Sequence, residues 1–220
     1  MDNQDKSKWL IVACKTLEDE IKAVNKDNID TLMVEYALHR VPDALREKLK
    51  NTVKEAKGYN TILFGYGLCS NGAANLGSHE HTLVIPKVHD CISILLGSRS
   101  IYDKEFADFP ATYYLSKGWI DQKAGPLDSY KEYIEKYDES TAKWIIDMEY
   151  ANYKRVVYVH TVEAPARYID YAKEVADFLG VAFEERDGSL RLLEKLVSGN
   201  WDKEFIVNPP GQIVMARSFL

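Results

Sequence analysis

The chain opens with a charged lead and then a continuous apolar run, Trp9 to Ala13 (WLIVA), the pattern of a strand buried on both faces. From Thr16 to Val24 the spacing turns helical, with Leu17, Ile21 and Val24 on one stripe. Thr31 to Leu38 reads as a second strand. Asp43 to Ala56 reads as an amphipathic helix carrying Leu45, Leu49 and Val53, with Asp43 as its cap and Gly58 as its stop. Two more strands are expected at Thr61–Phe64 (TILF) and Thr82–Val88 (TLVIPKV), the second interrupted by Pro86, which suits a sheet edge or a strand's last residue. A helix is expected from Ile92 and a short strand over Ala111–Leu115.

The second half is richer in tyrosine and charge. Leu127 to Tyr153 predicts one or two helices, and Arg155 to His160 (RVVYVH) a strand. Pro165 to Leu179 predicts a helix with Tyr168, Tyr171, Val175 and Phe178 inward and Gly180 as its stop. Strands over 181–185 and 204–207 flank a helix over 189–197. Strand and helix alternate throughout, which predicts an α/β protein with mainly parallel, helix-covered sheets of Rossmann-like type. Either one continuous domain or two lobes, 1–122 and 123–220, is expected, the boundary suggested by KGWIDQKAGP.

Composition narrows the function classes. The 220 residues are 46% hydrophobic and 28% charged, with a formal net charge of −6, so a general nucleic-acid-binding role is not expected. No apolar run approaches the length that spans a bilayer, and the apolar stretch near the start is too short for a signal peptide. A cytoplasmic protein is the expectation.

Cys14, Cys69 and Cys91 are the three cysteines, too few and too widely spaced for a disulfide framework. Each follows a predicted strand and precedes a predicted helix. In a parallel sheet those junctions share the carboxyl edge, where loops converge into sites. Helix N-termini favour thiolates, and thiolates select zinc or an iron–sulfur cluster. The expectation is a metal site on Cys14, Cys69 and Cys91 with one open position for a small-molecule ligand. His89 is either a fourth ligand or a catalytic group beside it, and Asp90 is the expected cap of the helix at Cys91. A metal or cluster carrier, a sensor, a metal-free cysteine enzyme with His89 as base, and inert packing are the alternatives.

The loop GYGLCSNG carries Gly65, Gly67 and Gly72 but fails the dinucleotide fingerprint, because Ser70 stands where the last glycine belongs. Its glycines suit sharp bends and close approach to a neighbour. Gly65, Tyr66, Gly67, Ser70 and Asn71 are therefore the candidate ligand-binding residues. NPPGQ (208–212) is rigid turn chemistry, expected as a loop over the site.

The segments ACKTLEDEI, ILFGYGLCSNG, LVIPKVHDCISILLGSRSIY, ATYYLSKGWI and LLEKLVSGNWDKEFIVNPPG together resemble a bacterial and archaeal family classed as a domain of unknown function. The resemblance implies an association with corrinoid-dependent methyltransferase systems, hence one-carbon or methyl-transfer metabolism. It also implies Cys14, Cys69, His89 and Cys91 as motif residues. The D-x-H-x-x-G corrinoid-binding signature is absent from the sequence.

Overall fold

A computed structural model describes residues 6–36, 38, 41–123 and 125–219. The chain divides into two compact units, one from residues 1–102 and 189–220, the other from 103–188. The boundary expected near residue 122 falls inside the second unit, between helices α5 (Lys117–Asp121) and α6 (Pro126–Ile134). Residue 124 of that expected boundary, and residue 37 of the strand expected over 31–38, lie outside the described residues.

The first unit is built on a five-stranded sheet: β1 (Trp9–Cys14), β2 (Asp30–Val34), β3 (Thr61–Gly65), β4 (Thr82–Pro86) and β8 (Phe205–Asn208), in the order β2-β1-β3-β4-β8. Neighbours are parallel except β8, which runs antiparallel to β4. All six residues of β1 and all five of β3 are buried, which accounts for their unbroken apolar runs.

Alternate residues of these strands face different helices. Leu10, Val12, Ile62, Phe64, Leu83 and Ile85 form one core cluster with Leu45, Leu49 and Val53 of α2 (Pro42–Glu55). On β3 and β4 also packs α9 (Arg191–Ser198), which meets α1 (Glu18–Val24) as well. Each such buried aliphatic side chain contributes roughly 1.5–3 kcal/mol. Helix α2 starts one residue earlier than expected. Pro42 takes its first turn, where no N–H is needed, and Asp43 bonds Arg46 at 2.8 Å rather than capping. Pro86 is the last residue of β4, opposite Phe205.

The second unit holds a three-stranded parallel sheet, β5 (Thr112–Leu115), β6 (Arg155–His160) and β7 (Ala182–Asp187), in the order β5-β6-β7. Helix α8 (Arg167–Leu179) lays Tyr168, Ala172, Val175 and Ala176 on Leu115, Val156 and Tyr158. Gly180 ends it in the left-handed conformation, φ 66°. Helices α6 and α7 (Glu139–Tyr150) complete the tyrosine-rich stretch as a pair. His160 pairs with Glu185 at 2.7 Å within this unit. The architecture is α/β with parallel, helix-covered sheets, as the alternation predicts. Among the described residues no helix is long and apolar enough to cross a membrane.

Candidate functional site

In the first sheet the chain passes from β1 outward to β2, then returns to the other side of β1 as β3. Loops leaving β1 and β3 therefore diverge, and such a switch point is where open α/β sheets form their crevices. Cys14 is the last residue of β1. Tyr66 to Asn71 follow β3, and His89 to Cys91 follow β4 into α3 (Cys91–Leu95).

The loops after β3 and β4 are zipped together through their backbones. Leu68 N donates to Val88 O at 2.9 Å and Cys69 N to His89 O at 2.8 Å. Gly67 permits this approach: a Cβ there would lie 2.7 Å from Val88 O and 2.8 Å from Asp90 N. Gly65 is equally enclosed, its notional Cβ 2.6 Å from that of Ala13 on β1. The sharp bends, however, belong to other residues. Cys69, Ser70 and Asn71 have φ of 46°, 54° and 69°, three successive non-glycine residues in the left-handed region. Such strain is uncommon and clusters at ligand sites and switches. Ser70 and Asn71 are exposed, and their backbone N–H groups donate to no acceptor among the described residues. Asp90 caps α3 as expected, its Oδ1 accepting from Ser93 N at 3.1 Å. His89 is half-buried, its ring 6.1 Å from that of Tyr102.

The cysteines gather about Tyr66, which is 1% exposed. Burial pushes the phenol well above its ordinary range, and the neighbouring Cys14, Cys69 and Cys91 sulfurs add to the effect. Its hydroxyl meets no nitrogen or oxygen partner and approaches only the Cys14 sulfur, a poor acceptor that already takes the Thr16 hydroxyl at 3.2 Å. Cys14 and Cys69 belong to the core cluster under α2. Burial raises both thiols, and the Asp90 carboxylate reinforces the shift at Cys69.

These surroundings correct the function expected from the sequence. All three cysteines are buried, and among the described residues no group of three or more His, Cys, Asp or Glu side chains is arranged to hold a metal ion. The metal-binding reading on Cys14, Cys69 and Cys91, as zinc enzyme, accessory protein, iron–sulfur carrier or sensor, is withdrawn. The metal-free alternative, with His89 activating a low-pKa cysteine, meets a separate obstacle at Cys14 and Cys69, where burial raises the thiols rather than lowering them. Helix N-termini alone do not offset burial in a core.

The 33–197 segment matches the sequence profile of a family described as "Protein of unknown function (DUF1638)". The chain belongs to the DUF1638 family. That description names no reaction, cofactor or partner. No curated protein matches the chain, and no solved structure does. In this DUF1638 protein NPPGQ lies elsewhere than expected. Because β8 is antiparallel, the chain leaves it at the start of β4, and Gly211 N donates to Ser78 O at 2.7 Å, at the edge opposite the cysteines. Neither the left-handed triplet nor the isolated phenol carries a sequence signature, though Asn71 is a residue type enriched at positive φ.

The thiols give the DUF1638 domain an alkaline limit. Below about pH 8 they are protonated in both states. Above it the unfolded chain releases protons that the folded chain retains, so stability falls as pH rises. The urea midpoint is expected to drop between about pH 8 and pH 10, and Cys69→Ala to flatten that drop. An equally steep drop in the variant would refute the assignment to this thiol.

Proposed function

We propose that this protein binds an uncharged polar small molecule in the crevice formed by the loops after β1, β3 and β4. The observation that carries the reading is the Tyr66 hydroxyl, buried and without a nitrogen or oxygen partner at the switch point of the sheet. A buried donor left unsatisfied costs about 1–3 kcal/mol, and native proteins retain such groups where a ligand completes them. The strained Cys69–Asn71 segment supports the same place, since its free Ser70 and Asn71 amides add two donors at the rim. The donors are neutral, and the phenol stays protonated well past its ordinary range. A ligand presenting acceptor oxygens or a thioether without net charge matches them. His89, half-buried beside the Asp90 cap, is the ionisable side chain proposed at the rim.

Tyr66→Phe separates binding from folding. It removes the orphan hydroxyl and little else, so the free protein is expected to gain about 1 kcal/mol in urea unfolding. The same variant is expected to lose binding of whatever neutral metabolite co-purifies with, or thermally stabilises, the parent. Screening a metabolite library by thermal shift and native mass spectrometry checks both. A variant that is less stable, or that keeps every ligand of the parent, would contradict the reading.

A further inference from the structure

We propose a second ligand site at the opposite, amino-terminal edge of the first sheet, for a phosphorylated small molecule. Two adjoining clefts of about 280 Å³ and 380 Å³ share Lys54, Gly77, Ser78 and His79. Lys50 lines the first and Lys57 the second. The spacing of Lys50 and Lys54 aligns them along the last turns of α2, and Lys57 follows just past its end. Glu80 is the carboxylate among the residues lining these clefts, exposed and 3.7 Å from Lys57. Lys50 also reaches Glu47 at 3.1 Å. The side chains of Lys54 and His79 have no ion-pair or hydrogen-bond partner among the described residues. In a chain of net charge −6 this is a local surplus of cations.

A helix C-terminus attracts lysines for its own sake. The facing wall is not explained that way. His81 lines the second cleft while only 3% exposed. Its Nδ1 lies 2.9 Å from the Tyr59 carbonyl, which can only accept, so Nδ1 carries the proton. The other ring nitrogen, Nε2, bonds no protein atom among the described residues. A buried imidazole locked at one nitrogen and unpartnered at the other is a preset ligand contact. Ser78 Oγ accepts from the Glu80 and His81 amides at 3.0 Å each, leaving its own hydrogen to donate. The lysines and the Ser78 hydroxyl donate to the oxygens of a tetrahedral phosphate, while His81 Nε2, which carries a lone pair when Nδ1 holds the proton, accepts the O–H of a hydrogen phosphate or of a hydroxyl beside it. The proposal does not depend on the crevice at Tyr66.

The test titrates the full chain with inorganic phosphate and then pyrophosphate, by calorimetry and by imidazole ¹H–¹⁵N NMR. Saturable one-to-one binding is expected, with shifts at His79 and His81, and pyrophosphate tighter than phosphate. Lys54→Ala, an exposed change that leaves the core intact, is expected to weaken pyrophosphate by about tenfold. Tyr66→Phe is expected to leave that affinity unchanged. Shifts reproduced by chloride at equal ionic strength, malonate binding as tightly as pyrophosphate, shifts centred on His89, or an unaltered Lys54→Ala titration would each overturn the proposal.

Discussion

Gly67→Ala is expected to cost about 2–3 kcal/mol of unfolding free energy, because its new methyl group has no room. The contacts would be Val88 O at 2.7 Å, Asp90 N at 2.8 Å and Val88 Cγ2 at 2.9 Å. Two of the three are backbone atoms, which cannot swing aside as a long side chain could. Relief requires the loops after β3 and β4 to part. Parting them stretches the Leu68–Val88 and Cys69–His89 hydrogen bonds and shifts the Asp90 cap of α3. The substitution therefore acts on the proposed ligand crevice as well as on the fold. Gly58→Ala is the comparison. Gly58 has φ 87° but nothing within 4 Å of a notional Cβ, so only backbone strain is added, about 1 kcal/mol. Urea unfolding of the two variants, with hydrogen exchange at the Leu68 and Cys69 amides, distinguishes crowding from strain. Equal losses would mean that Gly67 matters for its conformational freedom alone.

The second unit has its own point of large sensitivity. Arg155 is 3% exposed, with Nη1 2.8 Å from Glu184, Nη2 2.8 Å from Glu105 and Nε 2.8 Å from the Thr112 hydroxyl. Its guanidinium also lies over the Phe109 ring, 4.0 Å from the centroid. Arg155 is the buried cation between two carboxylates, which the more exposed Arg186 also approaches, at 3.5 Å from Glu105 and 3.0 Å from Glu184. Arg155→Ala leaves both without it and opens a void, for an expected loss of about 3 kcal/mol. Arg155→Lys keeps the charge but cannot reach three acceptors at once, so its loss should be smaller yet clear. Urea unfolding, with exchange protection read at the β5–β7 amides, measures both. An alanine variant within about 1 kcal/mol of the parent would show the network to be solvated and weak.

Strands buried on both faces announced themselves: WLIVA, TILF and RVVYVH each kept a continuous apolar run. Helix α8 did so through its stripe and its terminal glycine. Helix α4 (Arg99–Asp108) did not, for a physical reason: it buries no residue, and Ile101 and Phe106 are about half exposed, so no stripe marks it. The places of Cys14, Cys69 and Cys91 at or after the carboxyl ends of β1, β3 and β4 were legible in the sequence. Their chemistry was not, because protonation depends on depth below the surface, and strand-end placement says nothing of depth. Sequence reading also credited the bends of GYGLCSNG to its glycines, whereas Gly65 and Gly67 serve close approach and Cys69 to Asn71 make the turn. NPPGQ could be read as a turn, but its side of the sheet depends on the direction of β8, which only long-range pairing fixes.

The pairing of β8 with β4 also orders events during synthesis. The first four strands of this sheet, β1 to β4, have left the ribosome long before Phe205 to Asn208, and the whole second unit is translated in between. Throughout that interval the outer side of β4 lacks its last neighbour, a row of bare amides and carbonyls open to any passing strand. A nascent chain of this protein is thus exposed to mispairing at β4 until β8 emerges and retires that hazard.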